Sequence, residues 1–147
     1  MKNIAFFDYQ FWATELLLKR FDEIAVIPDK SLALMSHIFN AQEIWLARLN
    51  GRAHRFPVFH VHEKENLWNL FHDLKPKIFE ALQHENYEEI IHYSSTEGIA
   101  YASTRDEIFF HLSNHSTYHH AQINQNLVLN GLKPVSIDFI VFSRKHL

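Results

Sequence analysis

The chain has 147 residues, 47% of them hydrophobic and 21% charged, with a formal net charge of −3. That size and balance describe a single globular domain over residues 1–147, and the mildly acidic charge lacks the basic footprint that nucleic acid or an anionic membrane demands. The absence of cysteine excludes disulfides, thiolate metal sites and a protein thiol nucleophile.

The opening "MKNIAFFDYQFW" carries a short apolar patch interrupted by Asp8 and Gln10, with no small-residue cleavage site behind it. It reads as the start of a first helix, from about Ile4 to Phe21, in a cytoplasmic protein. Phe7, Phe11, Leu16 or Leu18 and Phe21 recur on it at helical spacing. No run approaches the roughly 18 apolar residues of a membrane span. A second helix opens at Pro28 and Asp29, with Asp29 as the expected N-cap, and closes at Gly51. "RAHRFPVFHV" reads as an irregular connection. A third helix is expected from about Glu63 to Gln83, on a stripe of Leu67, Leu70, Leu74, Ile78, Phe79 and Leu82, with Pro76 expected to bend or divide it.

The composition then changes. "EEIIHYSSTEGIAYAS" exchanges Leu and Glu for Ile, Tyr, Ser and Thr around Gly98, which predicts a small β-hairpin. "TRDE" is a capping-box signature that starts the last helix near Arg105, and Gly131 followed by Pro134 ends it. The tail "KPVSIDFIVFSRKHL" is expected to pack back as extended chain. Only three glycines and four prolines punctuate the chain. The predicted fold is an all-α four-helix bundle with crossover connections and a hairpin before the last helix.

The last helix carries "HLSNHSTYHH", in which His111, His115 and His119 fall four residues apart. Neighbours at i and i+4 can share one metal ion, whereas positions eight apart are separated by roughly 12 Å along the axis. At about 100° per residue, Ile108, Leu112, Ile123 and Leu127 mark the buried side. On that reckoning His119 lies nearest its middle and His115 next. His111 falls on the flank, at the rim, and His120 is expected to point nearly the opposite way. A catalytic zinc site commonly has three protein ligands and an open position. His37, among Leu34, Ile38, Ala41 and Trp45, is the best third imidazole. His54, His60, His62, His72, His84, His92 and His146 lie in loops, off the main stripes or at the tail. The competing reading is three hydrogen-bonded core histidines, which would need many partners. Trp12 and Trp45 read as core or groove wall.

Four stretches resemble the DinB/YfiT-like superfamily: Tyr9, Trp12 and Ala13; "HIFNAQEIWLARLNG" from His37; "HLSNHSTYHHAQI" from His111; and "NGLKPVSIDFIVF" from Asn130. The third resembles the family's N-H-x-x-x-H-R-G-Q motif, but His120–Ala121 stands where Arg–Gly is usual, while Gln122 is retained. The resemblance implies a four-helix bundle, commonly dimeric, holding a divalent metal, often nickel or zinc, on His37, His115 and His119. It implies kinship with thiol-dependent enzymes such as bacillithiol S-transferases and mycothiol-dependent isomerases.

The expected function is therefore metal-dependent chemistry on small molecules. Thiol transfer to electrophiles from an external low-molecular-weight thiol comes first, and hydrolysis by metal-activated water second. The competing reading is a non-enzymatic metal- or ligand-binding bundle. A homodimer is expected from the Phe- and Leu-rich helices. No catalytic base is assigned; Glu43 and Asp138 are candidates better explained as structural or surface groups.

Overall fold

The computed structural model describes residues 4–144. Its elements are α1 (Ile4–Asp22), α2 (Asp29–Leu49), α3 (Lys64–Ala81), β1 (Ile90–Ser94), β2 (Ala100–Thr104), α4 (Arg105–Leu129) and α5 (Phe139–Ser143). α2 packs chiefly against α3 and α4, and α1 against the same two helices from the other side. The four long helices thus enclose one core, which contains fully buried Phe7, Phe11, Phe21, Phe39 and Phe109. Rings from different helices meet edge-on, Phe7 with Phe109 at 6.0 Å and Phe11 with Phe71 at 5.9 Å. Such edge-to-face pairs add to the stabilisation from apolar burial.

The helix ends follow their local chemistry. Thr104 Oγ1 accepts from the Glu107 amide at 3.1 Å, and Glu107 Oε2 accepts from the Thr104 amide at 2.8 Å. This capping box starts α4 where the sequence predicts. Gly131 (φ +72°) and Gly51 (φ +60°) stop α4 and α2 with the same double closure. Leu132 N donates to Leu127 O and Gly131 N to Val128 O; Arg52 N donates to Ala47 O and Gly51 N to Arg48 O. Only a residue tolerant of positive φ completes that motif.

Three expectations need correction. Pro28, not Asp29, is the N-cap of α2; its φ of −56° and ψ of 132° already direct the chain into the helix, and Asp29 becomes the first helical residue. Pro76 does not divide α3. It is exposed, as is His72, so the carbonyl that loses its amide partner faces solvent rather than the core. The tail is extended only before Phe139 and then turns into α5. Phe139 and Phe142 both reach Tyr9, at 5.2 and 5.8 Å, and residues three apart share a face only in a helical turn. The hairpin is present, antiparallel, with His92 opposite Ala102. His146 lies outside the described residues.

The α2–α3 connection matters most for the site. It is irregular, yet α2 holds it by side chains on one face. Asn40 Nδ2 donates to the Val58 and His60 carbonyls at 3.2 and 2.7 Å, and Ser36 Oγ accepts from the His62 amide at 3.0 Å. Glu43, fully buried, accepts from both Arg52 Nη groups, from the Arg55 amide and from Arg55 Nη2, all within 3.2 Å. Burial pushes the Glu43 carboxyl upward, but these bonds and the Arg55 charge outweigh it and bring the pKa down to about 2. Glu43 is therefore a structural anion and not a base.

A carboxyl depressed from 4.5 to about 2 contributes stability that is present above its unfolded pKa and lost as pH falls through the folded one. Urea titrations from pH 6 to pH 2 should show that loss in the wild type. Glu43→Gln, which leaves the two arginines facing a neutral amide, should lower stability at pH 7 by about 3 kcal/mol.

Candidate metal centre

α2 and α4 lie against each other, so His37 meets the histidine-rich face of α4. Three ring nitrogens converge. His115 Nε2 is 3.0 Å from His37 Nε2 and 3.1 Å from His119 Nε2. All three rings are half-buried, and among the described residues they form the one group of three or more His, Asp or Glu side chains whose ligating atoms all lie within 4.8 Å of one another. No carboxylate joins them. The three residues singled out from spacing and resemblance are thus brought together.

Partners on the far side of two rings decide which nitrogen carries hydrogen. His37 Nδ1 lies 3.1 Å from the Val58 carbonyl and His119 Nδ1 lies 2.7 Å from Gln122 Oε1. A carbonyl oxygen only accepts, so both Nδ1 atoms must donate, taking Gln122 Oε1 as the amide's oxygen. Both Nε2 atoms then present lone pairs to the centre. Neutral His115 has one ring hydrogen and can satisfy at most one of them, so at least one of these lone pairs is left without a donor. Its Nδ1 is buried without a partner. Protonation of His115 is opposed by burial and by His119, His37 and His111, which hold its pKa at about 3. Burial lowers the pKa of His119 too, against the upward pull of Gln122. Converging imidazole lone pairs are the donor set a divalent cation takes, and an all-imidazole set suits nickel, zinc, copper or iron.

Aromatic rings surround the trio. Phe59, 81% exposed, stacks on His37 at 5.3 Å, and exposed Tyr118 meets His119 edge-on at 5.2 Å. On the third side the His111 ring lies 5.4 Å from His115 and 5.4 Å from Trp45. His111 is exposed and at the rim, outside the trio.

His120 overturns an expectation. It does not point away from the core; it is 1% exposed and among the most buried polar groups of α4. The buried face of α4 includes Phe109, Ser113 and Ser116 as well as the apolar positions used to place it. Adding these shifts its centre toward His120, and His119 and His120 straddle it. Thr14 Oγ1 donates its single hydrogen to the Gln10 carbonyl at 3.0 Å. The 2.9 Å contact with His120 therefore has His120 Nε2 as donor. Its Nδ1 is left as a buried acceptor with no partner. Burial, aided by His119, lowers the His120 pKa to about 3.

The remaining histidines do other work. His62 is buried against Asn40 Oδ1 at 2.7 Å, His54 and His84 bind nearby carbonyls, His60 stacks on Phe56, His72 stacks on Trp68, and His92 sits exposed on β1. Burial and then the Asp138 charge raise the Tyr9 pKa; Asp138 precedes α5 and is not a member of the histidine cluster. Gln122 was legible from its i+3 spacing to His119. The Val58 carbonyl and the Phe59 ring had no sequence signal, because they reach His37 only through the fold of the loop.

Residues 30–146 match the family model described as the DinB family. No curated protein matches the chain.

Long-range nitrogen–proton spectra of metal-free protein at pH 7 should show His37 and His119 as Nδ1–H tautomers and His120 as the Nε2–H tautomer. A histidine held neutral contributes stability that is present above 6.5 and lost as pH falls toward its folded pKa, about 3 for His120. Below pH 6 the stability of the metal-free protein should therefore drop by about 1.4 kcal/mol per pH unit from this residue. His120→Gln should flatten that slope in urea titrations.

Proposed function

The chain belongs to the DinB family, and on that premise we propose that His37, His115 and His119 hold a divalent metal ion at which small molecules react. The observation that carries this reading is the convergence of three Nε2 atoms at 3.0–3.1 Å with two of the rings committed to Nδ1–H. The Val58 carbonyl and Gln122 orient their imidazoles as outer partners do at metal sites. Nickel and zinc are the ions of choice for this donor set.

His37, His115 and His119 would hold the ion, which would supply a lowered pKa to a thiol or a water and so a nucleophile near neutral pH. Transfer of a thiol to an electrophile is the favoured reaction. The sulfur forms a bond to the electrophilic carbon, the leaving group departs with its electron pair, and the thiol proton passes to solvent. The thiol must be external, since the chain has no cysteine. The cytoplasm, where low-molecular-weight thiols are kept reduced, fits that cosubstrate. Hydrolysis is the next reaction class. Phe59, Tyr118 and Trp45 wall the approach with aromatic surface and favour a partly apolar electrophile.

A second reading is a bundle that binds metal or a small ligand without turnover. It is favoured by the make-up of the trio, which among the described residues is joined by no carboxylate that could serve as a base within the cluster. Turnover of thiol and electrophile by protein loaded with a defined metal separates the two.

The reading extends to the whole molecule. The described residues form one domain, supported by the packing of α1 onto α3, α4 and α5 of the matched region. Two copies pair, supported by exposed Phe6, Phe110, Phe139 and Ile140 along α1, α4 and α5. Among the described residues no helix is long and apolar enough to cross a membrane.

Elemental analysis should find about one metal ion per chain in the wild type and in His111→Ala, and a sharp loss in His115→Ala. Chelation should lower the melting temperature by mass action while leaving helical circular dichroism at 25 °C largely intact, because the apolar core does not depend on the ion. Unfolding on chelation would make the ion a structural staple. Sedimentation should give a dimer mass; a concentration-independent monomer would remove that part of the reading.

A further inference from the structure

Arg48 differs from four of the other five arginines, and the fifth, Arg144, is exposed. Arg20, Arg52, Arg55 and Arg105 each pair with a carboxylate. Arg48 has no ion pair among the described residues. It is half-buried, and its one hydrogen bond runs from Nη2 to the Ser94 carbonyl at 3.0 Å. Its Cζ lies 4.4 Å from the Trp45 ring and 4.7 Å from the Tyr93 ring, and those two rings meet at 74°. The guanidinium thus sits in an aromatic corner that holds it through cation–π attraction. Burial lowers its pKa, and the one ionisable neighbour opposing that is the Tyr93 phenol, not a carboxylate. A positive charge is kept partly out of water with most of its N–H donors unfilled.

The position of that charge links it to the imidazoles. From the corner, Trp45 leads to His111 at 5.4 Å, and His111 leads to His115 at 5.4 Å. A run of packed side chains, His115, His111 and Trp45, therefore connects the trio to a guanidinium with no counter-charge among the described residues. With rings packed against it, the donors left to a ligand are those along its edge, and a planar two-oxygen acceptor matches such a fork better than any other anion.

We propose that Arg48 is the anchor for a carboxylate on the small molecule that enters the metal centre, with Trp45, Tyr93 and His111 as the wall along which its body lies. This rests on the metal-centre reading and deepens it. The substrate class is a thiol whose sulfur reaches the imidazole trio and whose carboxylate lies two to three ring widths away. Arg48 is a binding residue here and not a catalytic one, since it is remote from the reacting sulfur.

The test uses full-length protein loaded with cobalt(II), whose sulfur-to-metal absorption reports thiol binding without turnover. Mercaptooctanoate and mercaptooctanol, equal in length and differing in the anion, are titrated in turn. The wild type should bind the carboxylate thiol about tenfold or more tightly, as a charge-assisted bond desolvated on one side allows. Arg48→Gln should erase that preference and leave mercaptooctanol binding unchanged; Arg48→Lys should keep part of it. Equal affinities in the wild type, or a preference that survives Arg48→Gln, would overturn the proposal. Absence of the sulfur band with both thiols would instead count against the metal reading. The anchor is then decided on metal-free protein, by titrating octanoate and following the Arg48 Nε–H resonance, which must shift for octanoate and stay still for octanol. Because Arg48 also ties β1 to α2, circular dichroism and the hairpin amide shifts of each variant check that the fold is kept; if Arg48→Gln loosens the hairpin, the Arg48→Lys and octanoate results carry the decision.

Discussion

The hydrogen bond from His37 Nδ1 to the Val58 carbonyl joins the two things this molecule must do at once. It turns the ring so that Nε2 faces α4, and it fixes the tautomer that leaves a lone pair there. It exists because the α2–α3 connection crosses α2 at that point. The connection crosses there because Ser36, Asn40 and Glu43 grip it on either side of His37 along the same helix. Glu43 contributes most, as a buried carboxylate neutralised by two arginines, and such a pair holds geometry well even where its net stabilisation is modest. Loop and imidazole are thus one assembly.

α4 carries the complementary half, and its histidines divide by depth. His115 and His119 sit at the edge where the helix meets α2, half-exposed and aimed at His37. His120, one residue on, is turned about 100° into the core and bonded to Thr14. The motif this stretch resembles carries Arg there. A guanidinium cannot give up its charge, whereas an imidazole can be buried neutral beside a threonine hydroxyl, as His120 is beside Thr14. Gln10 and Gln42 add further buried amides with no protein partner, so the interior between the helices is more polar than its aromatic content suggests.

The surface around the trio is uneven in a way that bears on chemistry. Phe59 and Tyr118 cover two sides with rings. The third side opens along His111 and Trp45 toward Arg48. Under the reading proposed above, an apolar approach on one flank and a cationic terminus on another would suit a thiol that carries a carboxylate at its far end.

Much of this was readable from spacing within a few residues. The capping box at Thr104 and the glycines that close α2 and α4 act through neighbours along the chain, so a linear reading found the helix limits. The i,i+4 pair His115 and His119 followed from helical geometry alone, and His37 from its place among apolar residues of α2. What depended on the third dimension was decided by contacts between distant segments. The depth of His120 depends on which helix packs against which side of α4; at about 100° per residue the four apolar positions already place it roughly 70° from their centre, no farther than His115, so the linear reading set it too far round the helix. Val58, Phe59 and the Arg48 corner are products of an irregular loop and a hairpin brought against α2, where backbone carbonyls and ring faces carry no sequence signature. The tail became a helical turn because two phenylalanines three apart had to meet one tyrosine, a demand that Tyr9 makes only once α1 lies beside it.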